Sequence, residues 1–291
     1  MIHKIENGAL TVEINDLGAE LWSVKTRDGI EYLWQGDARY WAGRASNLFP
    51  IVGRLWEGKY TYKGKVYEQG THGFLRKTQL KVLKKTKTSI AFGLSDNAQT
   101  RAQYPFAFLY TVTFSLDENV LHTVYGVENT GDGTLLFGLG GHPGFNVPLG
   151  GEGVFEDYRL EFKDKAAATE LILSPACFMT DGKRPFPLRD GKILDLKHSL
   201  FDNDAIVLTD MCREVSLKSD AGKRRVTVRC ETMPYLGFWH KPRSDAPYVC
   251  IEPWQSLPAD DGRVDDLETK RDMVRLAPRS AYQNGFSIEI V

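Results

Sequence analysis

Phe108-Leu-Tyr-Thr-Val-Thr-Phe-Ser-Leu116, the turn Asp117-Glu-Asn119, and then Val120-Leu-His-Thr-Val-Tyr-Gly-Val-Glu128 form the stretch that decides the fold. On both sides of the turn, large apolar residues alternate with small or polar ones, which is the period of a strand with one buried face. β-Branched and aromatic side chains dominate, and these fit a pleated, half-buried surface. Asn129-Thr-Gly-Asp-Gly133 then punctuates the chain before a third run, Thr134-Leu-Leu-Phe-Gly138, so the region reads as a meander.

The same alternation extends outward in both directions. Tyr60-Thr-Tyr62 and Val66-Tyr-Glu68 flank Lys63-Gly64 as a short hairpin, and further strands are expected at 9–14, 19–26, 80–83, 89–94, 158–162, 170–173, 205–209, 214–218, 225–230, 248–252 and 286–290. No long segment carries a helical stripe, and the best helix candidate is the polar stretch Val264–Met273, a turn or two at most. So many strands cannot bury their apolar faces in one open sheet, so the expected fold is all-β, a large antiparallel β-sandwich with few short helices. No repeat, low-complexity tract or Pro/Ser-rich linker divides the chain, so residues 1–291 are expected to form a single domain. Four lysines between Lys81 and Lys87 read as the protection of a solvated sheet edge.

Composition excludes several classes of function. With 37 basic and 38 acidic residues the net charge is −1, which leaves no electrostatic footprint for nucleic acid or an anionic membrane. No apolar run is long enough to span a bilayer, and Met1–Gly8 lacks the apolar centre of a signal peptide, so the chain reads as soluble and cytoplasmic. Cys177, Cys212, Cys230 and Cys250 are 35, 18 and 20 residues apart, which fits no zinc or CxxC spacing, and they read as buried reduced thiols. Gly138-Leu-Gly-Gly-His-Pro-Gly144 places Pro143 where a dinucleotide fingerprint needs its third Gly, and no helix follows. GxSxG, HExxH, phosphate-loop and EF-hand signatures are all missing.

What remains is a set of polar groups in apolar or Gly/Pro-rich settings, where a buried polar group must find a partner or a ligand. Arg54 closes the apolar run Asn47–Gly53; His72 sits in a Gly turn that is expected to open a strand; His142 is held between glycines and Pro143; and Glu252 ends the apolar strand Tyr248–Ile251, fixed by Pro253. Carboxylates are almost never fully buried unpaired, so Glu252 points to a cleft. His3, His122 and His198 lack such framing and read as structural; His240 is ambiguous, and its neighbour Trp239 could stack on a ligand.

The ordered strings NLFPIVGR, THGFLR, GGHPGFNVP, LFDNDAIVL, GFWHKP and CIEPWQSLPADDG, which run from Asn47 to Gly262, together resemble the aldose 1-epimerase (galactose mutarotase) family, and most closely its bacterial LacX-like branch. The resemblance implies a galactose mutarotase-like supersandwich whose open cleft interconverts the α and β anomers of a monosaccharide without metal, nucleotide or other cofactor. It also implies roles. Glu252 would remove the anomeric hydroxyl proton while His142 protonates the ring oxygen; Arg54, His72 and Asp204 would hold sugar hydroxyls, with Asp202 the alternative to Asp204. Arg76 would pair with a carboxylate in the cleft. The expected partner is a small sugar, and the chain would act as a monomer or homodimer.

Ring opening needs a base at the C1 hydroxyl and an acid at the ring oxygen acting together, and closure needs the same groups with roles exchanged. The expected arrangement is a Glu left ionised by a nearby Arg and a His kept protonated by nearby negative charge. Three other readings stay open from the residues: a hexose-6-phosphate mutarotase with Arg54 and Arg76 clamping the phosphate, a non-catalytic carbohydrate-binding sandwich, and a metal site built from His72, His142 and Glu252.

Overall fold

In the hairpin over residues 108–129, the strand Phe108–Asp117 turns inward Phe108, Tyr110, Val112, Phe114 and Leu116, and Val120–Asn129 turns inward Leu121, Thr123, Tyr125, Val127 and Asn129. Burying each large apolar side chain is worth roughly 1.5–3 kcal/mol, and the period of two puts all of them on one face. The computed structural model, which describes residues 1–291, builds this hairpin into a nine-stranded antiparallel sheet. Its order is Ile193–Asp195, Tyr158–Phe162, Glu214–Ser219, Arg225–Arg229, Ala281–Ile290, Val120–Asn129, Phe108–Asp117, Ser89–Ser95 and Lys81–Lys85. The lysine-rich strand is the exposed edge, as expected from its charges.

A second, seven-stranded antiparallel sheet packs against it in the order Met179–Pro185, Thr169–Leu173, Ile206–Thr209, Tyr235–Trp239, Tyr248–Trp254, Gly140–Asn146 and Ala45–Leu48. The sheets meet closely: Tyr125 in one donates its hydroxyl to Asn47 Oδ1 in the other at 2.9 Å. A Cβ on Gly141 would lie 2.6 Å from the Phe286 ring, so glycine is required at that crossing. The main core of 66 buried residues draws on both sheets and runs in sequence from Ile5 to Ile290. This is the antiparallel sandwich expected from the periodicity.

Three local expectations fail. Thr134–Gly138 does not continue the meander: Leu135–Phe137 pairs with Val274–Leu276, while the partner of Val120–Asn129 is the C-terminal strand Ala281–Ile290. Asn129 explains the departure, because its side-chain amide donates to the carbonyls of Gly133, Leu276 and Ala277 and ties the crossing to the C-terminal segment. Val264–Met273 is not helical; Asp265–Asp266 bridges to Tyr60–Thr61, and the Asp266 carboxylate accepts the Glu268 N–H in a turn that competes with a helix. The α-helix is Ala98–Gln103 instead, capped by Asn97, whose side chain accepts from Gln99 and Thr100 while the Thr100 hydroxyl accepts from the Asn97 N–H. His72 does not open a strand either: its turn leads into a single 3₁₀ turn, Leu75–Lys77.

Candidate active site

Tyr248–Trp254 is buried along its whole length because both of its faces are covered. Val249 and Ile251 face the sandwich core, whereas Tyr248 and Cys250 face a smaller cluster with Trp34, Trp41 and Trp239 on the other side of the sheet. Glu252 belongs to this second set by alternation. The neighbouring strand pairs Gly140 with Trp254 and Gly144 with Cys250, which sets His142 directly across from Glu252. Directly opposed residues of an antiparallel pair have Cβ atoms about 4.5–5.5 Å apart. Their side chains meet, with His142 Nε2 3.2 Å from Glu252 Oε2.

This pair lies in a cavity of about 370 Å³ on the outer side of the seven-stranded sheet. Small-molecule sites commonly span roughly 300–1,000 Å³. Its lining contains all seven candidate residues: Arg54, His72, Arg76, His142, Asp204, Trp239 and Glu252. Asp202 is exposed and lies outside it. Trp41, Ser46, Cys177 and Trp254 also line the wall and were not singled out by the sequence. Trp41 tilts over His142 at 4.8 Å between ring centroids, and Trp239 meets the same imidazole edge-on at 5.6 Å.

Two loops carry the groups opposite the sheet, and they are clipped together through their backbones. His72 N–H donates to the Gly53 carbonyl at 2.7 Å, and Gly53 N–H returns a bond to His72 Nδ1 at 3.1 Å. Because Nδ1 accepts, the neutral His72 ring carries its proton on Nε2, where it can donate. Gly73 follows at φ +73°, and a Cβ there would lie 2.3 Å from the Phe49 carbonyl oxygen, so only glycine brings the two loops this close. His72, Cys177 and Asp204 themselves occupy the left-handed region, with φ of +64°, +65° and +77°. Strained non-glycine backbone of this kind gathers at binding sites. Asp204 accepts the Cys177 thiol at 2.7 Å and its own neighbour's N–H, that of Ala205, at 2.9 Å. Cys177 is therefore a half-buried member of the wall and not the buried thiol expected of it.

The electrostatics depart from expectation. Glu252 is only 1% exposed, and burial pushes its carboxyl well above the usual range, with the Trp254 indole offsetting part of this and the Asp204 charge adding to it. Burial lowers His142 to about 4, against its own backbone, which raises it, and with the Arg76 charge lowering it further. Desolvation thus dominates at both groups, and burial favours a neutral pair over an ionised Glu and a protonated His. His72 is held neutral as well, by burial first and then by His142, Arg76 and Arg54. Arg76 pairs with no carboxylate within 4.0 Å, contrary to expectation, and Arg54 donates Nη1 to the Ala176 carbonyl at 3.1 Å. His240 lies outside the cavity; its Nδ1 donates to the Lys241 carbonyl at 2.7 Å and its Nε2 accepts from His198 at 3.1 Å, so its role is structural.

Four buried polar atoms of the lining have no hydrogen-bond partner within the protein: Arg76 Nε, His142 Nδ1, Glu252 Oε2 and Trp254 Nε1. Glu252 Oε2 is close to the imidazole but not aligned with it as a hydrogen bond. Buried donors and acceptors are rarely left unsatisfied. Their concentration between Trp41 and Trp239 fits a small ligand that is rich in hydroxyl groups and has an apolar face.

The chain is similar to known proteins along its whole length. A model of the aldose 1-epimerase family matches residues 1–260. The plasmid-encoded protein LacX of Lactococcus lactis subsp. lactis is 32% identical over 300 aligned residues, with both chains covered completely. Among solved structures, a galactose mutarotase related enzyme from Lactobacillus acidophilus superimposes with a TM-score of 0.94 at 37% identity, covering 100% of this chain and 97% of its own. A galactose mutarotase-like protein from Lactobacillus casei gives 0.93 at 29% identity, with both chains fully covered. The chain belongs to the aldose 1-epimerase family.

Proposed function

We propose that this protein interconverts the α and β anomers of a free hexose, with Glu252 and His142 as the proton-transferring pair. The observation that carries the proposal is the buried contact of 3.2 Å between His142 Nε2 and Glu252 Oε2 on the floor of a cavity lined by unpartnered polar atoms. The pair shares one proton. With the proton on His142, the Glu252 carboxylate takes the proton of the C1 hydroxyl while the imidazolium gives its own to the ring oxygen. The C1–O bond to the ring breaks, and C1–O1 becomes a carbonyl. After rotation about C1–C2 both transfers run backwards, and the ring closes on the other face.

Ring opening leaves Glu252 protonated and His142 neutral, which is the arrangement that burial favours. Arg54, His72 and Asp204, which line the cavity, would hold hydroxyls, with His72 donating from Nε2, and Trp239 would offer an apolar face. The Asp204 carboxylate faces the same cavity as the two arginines, and no lysine joins them. That balance supports a neutral sugar over a phosphate ester, which recruits several cationic donors.

Polarimetry of freshly dissolved α-glucose and α-galactose, with glucose 6-phosphate alongside at low and high ionic strength, tests the proposal. The expected result is accelerated equilibration of a free sugar with little salt dependence. A preference above about tenfold for the phosphate ester, worth ~1.4 kcal/mol, together with a collapse in salt, would assign the site to phosphosugars.

A further inference from the structure

Cys250 sits two residues before Glu252 on the same face of the same strand, and it is fully buried. Donor atoms of His142, Cys250 and Glu252 all lie within 4.8 Å of one another. The third donor near the catalytic pair is thus a thiol, not the His72 imidazole of the alternative metal reading. The Cys250 thiol makes no hydrogen bond, and Glu252 Oε2, on a side chain 1% exposed, has no partner. A soft N, S and O donor set with an unsatisfied buried carboxylate oxygen aimed into it is the chemistry that zinc and its heavier congeners select.

We propose that His142, Cys250 and Glu252 form a binding site for a thiophilic divalent cation such as Zn²⁺, and that its occupation switches off the sugar reaction. Zinc bonds of about 2.0–2.3 Å put tetrahedral ligand atoms about 3.4–3.7 Å apart, so the widest pair here has to close by about 1 Å. The 3.2 Å separation of His142 Nε2 and Glu252 Oε2 is within a few tenths of an ångström of that spacing. Three protein ligands leave a fourth position open, and His142 and Glu252 line the cavity that gives entry, with Cys250 behind them. The metal would engage the lone pairs that carry the proton in anomer exchange, so metal and sugar chemistry exclude each other. The inhibitory half of this inference rests on the mutarotase reading, whereas the binding half does not.

Titration of the chelator-treated protein with Co²⁺, read by the near-ultraviolet thiolate-to-cobalt absorption, tests binding; Zn²⁺ titration of anomer exchange tests inhibition. The wild-type protein should show the thiolate band and lose activity with Zn²⁺. Cys250→Ser and Cys250→Ala should keep anomer exchange within a few-fold, lose the band, and need more than about tenfold more Zn²⁺ for half-inhibition. Cys177→Ser should keep the band. Should the Cys250 variants not fold, Glu252→Gln and His142→Asn must each weaken Co²⁺ binding. A missing thiolate band, or Zn²⁺ inhibition unchanged in the Cys250 variants, overturns the proposal. A protein that binds Co²⁺ through the thiol but never exchanges anomers refutes the catalytic reading alone.

Discussion

Glu252→Gln should stabilise the fold, and by an amount that grows with pH. In the folded protein the Glu252 carboxyl is raised well above its ordinary 4.5 by burial. Its contribution is therefore favourable below 4.5 and is lost as pH rises, because the unfolded chain then releases a proton that the folded pair retains. His142 works the other way: lowered to about 4 from 6.5, it favours the folded state above 6.5 and loses that contribution as pH falls toward 4. With one proton on the folded pair, the two effects cancel between 4.5 and 6.5, and wild-type stability falls above 6.5. The Gln variant keeps only the His142 effect, so its stability rises from 4 to 6.5 and is flat beyond. The difference between the proteins then climbs by about 1.4 kcal/mol per pH unit for as long as the wild-type pair keeps its proton. Both groups are buried, so solvent screening does not reduce this figure much. Urea unfolding in metal-free buffer, followed by the fluorescence of the six tryptophans, measures it directly. A difference that stays constant from pH 5.5 to 7.5 would show that the folded pair holds no proton, and the acid–base scheme would fail with it.

The pH profile of turnover should be bell-shaped, with an acidic limb near 4 where His142 takes up a second proton for the pair and a basic limb where the pair loses its last one. His142→Asn should lower the rate by about 10²–10⁴-fold and abolish the acidic limb; a variant with both limbs and the full rate would move the acid elsewhere, with His72 the next candidate. Gly73→Ala should destabilise the protein by more than about 2 kcal/mol and raise KM, because its Cβ would lie 2.3 Å from the Phe49 carbonyl oxygen. Urea unfolding and saturation kinetics read the two effects, and an alanine variant with wild-type stability would show that the clip between the loops is not tight.

The alternation in Phe108–Glu128 was enough to establish a sandwich because the period of two survives wherever one face is buried. It failed at Gly140–Asn146, a strand whose residues are small or buried on both faces and so leave no alternation to read. Gly141 and Gly144 are there for close approach, not for a turn. Pairing was less legible than strand position, since the Asn129 amide that diverts the chain acts on residues almost 150 positions away. The polar residues framed by Gly and Pro were legible because their chemistry is at odds with their surroundings. Trp41 was not: an aromatic residue between Tyr40 and Ala42 looks like ordinary packing until His142 is found beneath it. The protonation states were not legible either, because burial is a property of the assembled sheet.

Exchange spectroscopy of glucose at anomeric equilibrium, on the wild-type protein and Glu252→Gln side by side, bears most directly on the central claim. It reads the α to β rate without a coupling enzyme and without disturbing the equilibrium. Wild-type protein should accelerate exchange over buffer, and the Gln variant, folded and at least as stable at neutral pH, should lose at least about 10²-fold of that acceleration. A folded Glu252→Gln protein exchanging anomers at close to the wild-type rate would contradict the account.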